Sequence, residues 1–306
     1  MTTPYDPSIV CAYLYIISKY GYPPAAANTI QYLKEMKNLG FQSIELEGIR
    51  EQHLSDIYEM RHSIKYKLDD LELQVPYFCA VLPGVTSPDK KTRLNNLELF
   101  EKGCEIAKLF GAKGILDNAP LPPYQFPDEI PITRHYDEGV LGSATIPSDV
   151  IWTDFWDCLV KTYRELCDIA WVYHLTFQIH PAIGCLSSTT DGFINFQQAI
   201  SRDNMRFNFD TANLFSMKEN ISLSFIRLSE FIDYIHLSDN TGLRVEHLPP
   251  EKGVIKWEVF FETIEKAGFQ GHIGLDIGGE ESPTDDLEKA YINSADWLYN
   301  YWKTRN

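Results

Sequence analysis

A (β/α)8 barrel, the TIM-barrel form of the α/β class, is predicted for this 306-residue chain by three observations. Strand-like and helix-like stretches alternate from end to end. Eight such pairs in about 300 residues match the size and rhythm of one closed barrel. No strand–turn–helix carries a GxGxxG fingerprint, which disfavours the alternative, a doubly wound open sheet. A single domain over residues 1–306 is expected, because no linker divides the chain.

Taken in order, IVCAYLYI (9–16) is a short apolar run suited to a strand buried on both faces. The turn SKYGYPP follows, then a helix from about Ala25 to Leu39 that Gly40 stops. FQSIELEG is a second strand; it carries Glu45 and Glu47, and the alternation makes Glu47 the candidate for its carboxyl end. A polar helix near Gln52–Leu71 leads to a third strand in LQVPYFCAVLPG. Leu94, Leu97, Phe100, Cys104 and Ala107 recur at helical spacing, Gly111 ends that helix, and AKGILDN is strand four. From about 119 to 148 the pattern gives way to prolines and turn formers, a Pro-rich insertion able to cover a site. Periodicity returns with Trp152, Phe155, Trp156, Leu159, Tyr163 and Leu166, a long amphipathic helix that delivers HLTFQIH. A shorter helix (Phe193–Ile200), the strands RFNFD and YIHL, a helix through Trp257, Phe260, Phe261 and Ile264, the strand HIGLDI and a closing helix over Asp285–Trp302 complete the chain.

Composition narrows the function classes. A formal charge of −16 argues against broad binding of nucleic acid or of an anionic membrane. No stretch of about 18 apolar residues is present, and MTTPYDPSIV lacks the apolar run of a signal peptide. The six cysteines are widely spaced with no CxxC pair, as expected for free thiols in a reducing cytoplasm. Six Trp, 17 Tyr and 17 Phe supply a large core.

The chemistry is expected at the carboxyl ends of the strands, which converge on one face of a parallel barrel. MRFNFDTAN closes on Asp210 and Asn213, FIDYIHLSDN on His236 and Asp239, TFQIHP on Gln178 and His180, and HIGLDIGG on Asp276. Each also has a structural explanation: Asp210 as a helix cap, His236 as a satisfied core histidine, Gln178 as a neighbour's hydrogen-bond partner.

The chain resembles the xylose isomerase-like TIM-barrel family of sugar (phosphate) isomerases and epimerases. The motifs that carry the resemblance are IAKLFGAKGIL (106–116), Asp210-Thr211-Ala212-Asn213 as a variant of "DtgH", His236-Leu237-Ser238-Asp239 as "HlkD", Glu251 to Trp257 as "pGxGxidW", and Gly268 to Asp276 as "GYxGxxxlE". Three departures stand out: Gln178 and Asp276 replace glutamates at the ends of strands five and eight, and Asn213 stands where many members carry His. An amide cannot titrate near neutrality, so a two-base epimerase of the family's standard build is not expected.

With the residue chemistry, the resemblance implies a divalent cation (Mn, Mg, Co or Zn) held by Gln178, Asp210, His236 and Asp276. Asp276 is the expected base, and His180, with Asp239 or Glu47 as alternatives, the second catalytic group that supplies or relays the other proton; Glu47, Asn213, Asp239, Arg244 and Trp257 are candidates on the substrate side. The implied activity is metal-dependent proton transfer next to a carbonyl of a sugar or cyclitol, as isomerase, epimerase-like enzyme or lyase. The implied partner is a small carbohydrate-like molecule, with neither nucleic acid nor membrane, and with homo-oligomerisation open. The rival readings are a non-catalytic barrel that binds a polyol or a partner without metal, and a nuclease of the endonuclease IV type. The acidic balance and Asn213 weigh against the nuclease.

Overall fold

The computed structural model describes residue 6, residues 8–127 and residues 136–305. Among the described residues ten parallel strands form two five-stranded sheets, ordered β2-β1-β10-β9-β8 and β3-β4-β5-β6-β7. β2 (Ser43–Ile44) and β3 (Leu46–Ile49) are one stave interrupted at Glu45, and β7 (Met205–Phe207) and β8 (Phe209–Asp210) are another interrupted at Asn208. Through these two staves the sheets join into eight positions around a closed barrel. The remaining staves are β1 (Ile9–Cys11), β4 (Tyr77–Val81), β5 (Gly114–Asn118), β6 (Thr176–His180), β9 (Tyr234–Leu237) and β10 (His272–Leu275). Register is explicit: β6 pairs Asn118 with His180, β8 pairs Asp210 with His236, and β10 pairs Gly274 with His236.

The apolar run at the amino end contains two elements rather than one strand. β1 stops at Cys11 and α1 (Leu14–Tyr20) begins within the same stretch. Residues 9–16 are buried throughout, so nothing in their pattern distinguishes a two-sided strand from the first turn of a buried helix. The outer ring contains α2 (Thr29–Asn38), α3 (Arg50–Asp70), α4 (Lys90–Phe110), α6 (Trp152–Val172), α7 (Thr190–Ile200), α10 (Trp257–Lys266) and α11 (Leu287–Arg305). Between β8 and β9 lie two helices, α8 (Thr211–Ser216), which Asp210 caps, and α9 (Ile221–Leu228), which the sequence pattern does not announce. Of the expected insertion at 119–148, residues 128–135 lie outside the described residues. The rest contains α5 (Glu138–Ser143) and an antiparallel bridge between Gln125 and Thr145.

Two aromatic rings fill the barrel's interior. Tyr77 stacks on Tyr234 with centroids 4.1 Å apart, among Val10, Cys79, Val81 and Leu116. A larger apolar layer lies between staves and helices, where Phe100 meets Phe177 edge-on at 5.2 Å and Tyr163 meets Phe196 at 5.0 Å. The cysteines are free thiols, four of them buried. Among the described residues no helix is long and apolar enough to cross a membrane.

The start of α3 builds in acid sensitivity. Ile49 N–H donates to His53 Nδ1 at 3.0 Å, so the ring serves only as neutral imidazole, and burial lowers its pKa from 6.5 to about 4. The unfolded chain takes up this proton first. His53's contribution is therefore complete above pH 6.5 and is lost as pH falls towards 4. Urea unfolding across that window should show a loss of about 2 kcal/mol that His53→Gln removes. An unchanged acid limb in the variant would refute the assignment.

Candidate active site

Four elements bring three imidazoles and two carboxylates together at the carboxyl rim. Asp210 ends β8 and caps α8, its Oδ1 accepting the Asn213 N–H at 2.8 Å. Its Oδ2 lies 3.7 Å from both His180 Nε2 and His247 Nε2. Asp276 follows β10, and its Oδ2 lies 3.7 Å from His247 Nε2 and 3.9 Å from His236 Nδ1. Two triads, His180–Asp210–His236 and Asp210–His247–Asp276, each place one ligand atom per residue within 4.8 Å of the others, and they share Asp210. All five residues are buried.

Each imidazole has a partner on its outer side that orients it. His236 Nε2 lies 2.9 Å from Glu45 Oε2, and Glu45 is itself fixed by the Tyr13 N–H at 3.3 Å and the Tyr234 hydroxyl at 2.9 Å. His180 Nδ1 is 2.8 Å from Asn208 Oδ1; the Asn208 amide donates to Tyr234 O at 3.3 Å, which turns its oxygen towards the ring. Nδ1 of His180 therefore carries the proton, and Nε2 presents a lone pair to the cluster. His247 Nδ1 lies 3.0 Å from Glu281 Oε1, and its backbone N–H donates to Ser282 Oγ at 2.7 Å. An imidazole backed by a carboxylate or amide with its inner nitrogen aimed at acidic oxygens is the usual arrangement of a metal-ligating histidine.

Burial and mutual pairing set the charges within the cluster. Burial opposes ionisation of Asp210, yet His247, His180 and His236 outweigh it and hold the carboxyl well below the usual range. Burial likewise opposes a charge on His236, but Glu45, then Asp276 and Asp210, raise it to about 9. His236 also keeps the carboxyl of Glu45 low against the pull of burial.

A divalent cation fits these residues. His236 Nδ1 is a buried nitrogen without a hydrogen-bond partner and faces Asp276, and the inward set of three nitrogens and two carboxylate oxygens balances a double charge. Imidazole ligands favour Zn, Co or Mn over Mg, which prefers oxygen and water.

The sequence-derived candidates divide sharply. Asp210, His236, Asp276 and His180 converge, but Gln178 does not join them. Its amide donates to Asp233, the residue before β9, at the amino end of the barrel. Asp239 is fully buried and serves the scaffold: Oδ1 accepts from the Ile255 N–H at 3.1 Å and Oδ2 from Trp257 Nε1 at 3.0 Å. Trp257 accordingly packs inward against Trp297, centroids 5.7 Å apart, and is not available to stack on a substrate. Gly253 backs the same loop; a Cβ there would sit 2.3 Å from Asp239 Oδ1 and 2.5 Å from Asn240 O. Arg244 is exposed and pairs with Glu246 at 3.0 Å, away from the cluster. Asn213 is buried against the cluster, donating to Asp210 Oδ2 at 2.9 Å. Glu47 lines a cavity of about 20 Å³ with Tyr22, Asn118, His180 and His236. Sequence reasoning missed Glu45, His247 and Glu281. Only the HLPPEKG segment around His247 offered a signal, through its place just before the "pGxGxidW" stretch.

The fold and site define a closed parallel barrel with a buried carboxylate–imidazole cluster at its carboxyl rim, a group of residues that could hold a metal ion. Residues 33–301 match the xylose isomerase-like TIM barrel family, and the chain belongs to that family. L-ribulose-5-phosphate 3-epimerase UlaE of Shigella boydii is 20% identical over 282 residues, which cover 90% of this chain and 90% of that protein. Among solved structures, 3-keto-D-glucoside 4-epimerase YcjR from E. coli superposes with a TM-score of 0.69 at 17% identity, covering 96% of this chain and 100% of that one. D-allulose 3-epimerase from Methylomonas sp. superposes with a TM-score of 0.70 at 16% identity, covering 100% of both chains. At such identities the structures share the fold.

Proposed function

We propose that the protein is a cation-dependent isomerase or epimerase acting by proton transfer at a carbon next to a carbonyl of a small sugar-like substrate. The observation that carries this reading is the pair of triads sharing Asp210, with every imidazole held from outside. Asp210, His236, His247 and Asp276 would hold the cation, His247 taking the place that sequence reasoning gave to Gln178. When bound, the cation supplies charge stabilisation for the developing oxyanion of the substrate.

The chain's own groups do the rest. The Asp276 carboxylate takes the proton from the carbon next to the carbonyl. Nε2 of His180 is a lone pair at the wall of the mouth cavity, so it is the second group able to receive or return a proton. Glu45, Asn208 and Glu281 fix the rings, and burial excludes water from the transfer. The sugar epimerases with the same fold support this choice of chemistry.

Cation titration tests the reading. Mn, Co or Zn should raise the melting temperature of the EDTA-treated protein, His247→Ala should weaken the apparent affinity at least about 100-fold, and Gln178→Ala should leave it within about threefold. No cation-induced stabilisation would favour the non-catalytic rival. Equal losses in the two variants would overturn the ligand set.

A further inference from the structure

A second cavity, of about 70 Å³, adjoins the first; both have Tyr22, Val81 and Asn118 in their walls, and Arg50 and Tyr136 line the second. A molecule with one end at the cluster thus has its other end within reach of Arg50. We propose that Arg50 makes this cavity a subsite for an anionic terminal group of the substrate, a phosphate or a carboxylate. The proposal rests on the carbohydrate reading above and narrows it to anionic sugars.

Three observations support it. The first is unmet pairing: among the described residues Arg50 has no hydrogen-bond or ion-pair partner. Every other arginine whose side chain is described has an oxygen partner, such as Asp168 for Arg202 and Asp191 for Arg227, both at 2.6 Å, or a backbone carbonyl for Arg61 and Arg164. In a chain with 43 acidic and 27 basic residues, a half-buried guanidinium left without a carboxylate is conspicuous.

The second is backbone cost. Arg50 opens α3 with φ of 60°, in the left-handed region that costs a non-glycine residue about 1 kcal/mol. Asparagine would occupy this conformation more readily, so the arginine is retained at some expense to stability.

The third is the composition of the wall. Among the described residues the only carboxylate lining the cavity is Asp117. Its Oδ1 already accepts the Leu82 N–H at 3.2 Å and the Asn118 N–H at 2.7 Å, and burial raises it to about 7, so much of its charge is withdrawn at neutrality. Tyr22, Tyr136 and Tyr163 also line the cavity, side chains whose hydroxyls are of the kind that donate to an anion.

The test uses the cation-loaded, full-length protein and two pairs of probes: L-ribulose against L-ribulose 5-phosphate, and D-glucose against D-glucuronate. Affinity is read by calorimetry. In at least one pair the anionic member should bind about tenfold tighter or more than its neutral parent, and the pair that shows this identifies the group. Arg50→Asn should reduce the preference to within about twofold, with an unchanged or higher melting temperature. Arg50→Lys should keep part of it. Equal affinities within both pairs, no binding by any of the four sugars, or a preference that survives Arg50→Asn would each overturn the proposal. Cation-induced stabilisation, measured on the same preparations, reads the parent hypothesis separately: a protein that takes up cation and binds both sugars of a pair equally fails only the Arg50 subsite.

Discussion

Asp210→Asn is expected to reduce cation affinity by well over 100-fold and turnover to background. The substitution is nearly isosteric. Asn caps helices as well as Asp, so the bond from the Asn213 N–H at 2.8 Å and the start of α8 should survive. What disappears is the one charge that belongs to both triads, the oxygen 3.7 Å from His180 and from His247. Loss of an outer-sphere partner typically costs 10–100-fold in metal affinity, and loss of a shared inner ligand should exceed that range. Cation content by mass spectrometry of the purified protein, with circular dichroism as the control for folding, measures the effect. A variant that copurifies with a full equivalent of cation would rule out the site.

Asp276→Asn should lower kcat by about 10²- to 10⁴-fold, the range associated with removal of a general base. Cation affinity should fall less than in Asp210→Asn, since Asp210, His236 and His247 remain. Exchange of solvent deuterium into recovered substrate separates the two roles. It reports removal of the carbon-bound proton even when no product is released. Exchange at the wild-type rate in the variant would assign the base elsewhere, with His180 next in line.

The barrel and part of its cluster were legible in the sequence because strands that end together bring distant residues together. Asp210, His236, His180 and Asp276 each stand at or next to the end of a strand, and the parallel register that pairs Asp210 with His236 does the rest. Height along the barrel axis was not legible. Gln178 and His180 are two residues apart on one strand and face the same way, as do Glu45 and Glu47, so alternation cannot say which of each pair reaches the rim. In the first pair the deeper residue turns to the amino end; in the second it braces His236. His247 was hidden for a different reason. It follows β9 in a non-periodic loop that is folded back over the mouth by the antiparallel bridge between Asp239 and Leu248 and by bonds from His247 to Ser282 and Gly278. The same bridge makes Asp239 and Trp257 structural, through contacts across 16 and 18 residues of chain that no local pattern encodes.

The two interruptions in the sheet fall at Glu45 and Asn208, and these residues hold His236 and His180. The joints between the half-shells are thus also the mounts of two rings at the barrel's mouth. Breathing of one half-shell against the other would reach those rings directly. Substitutions that stiffen or loosen either joint would therefore be felt as changes in imidazole alignment before any change in barrel stability.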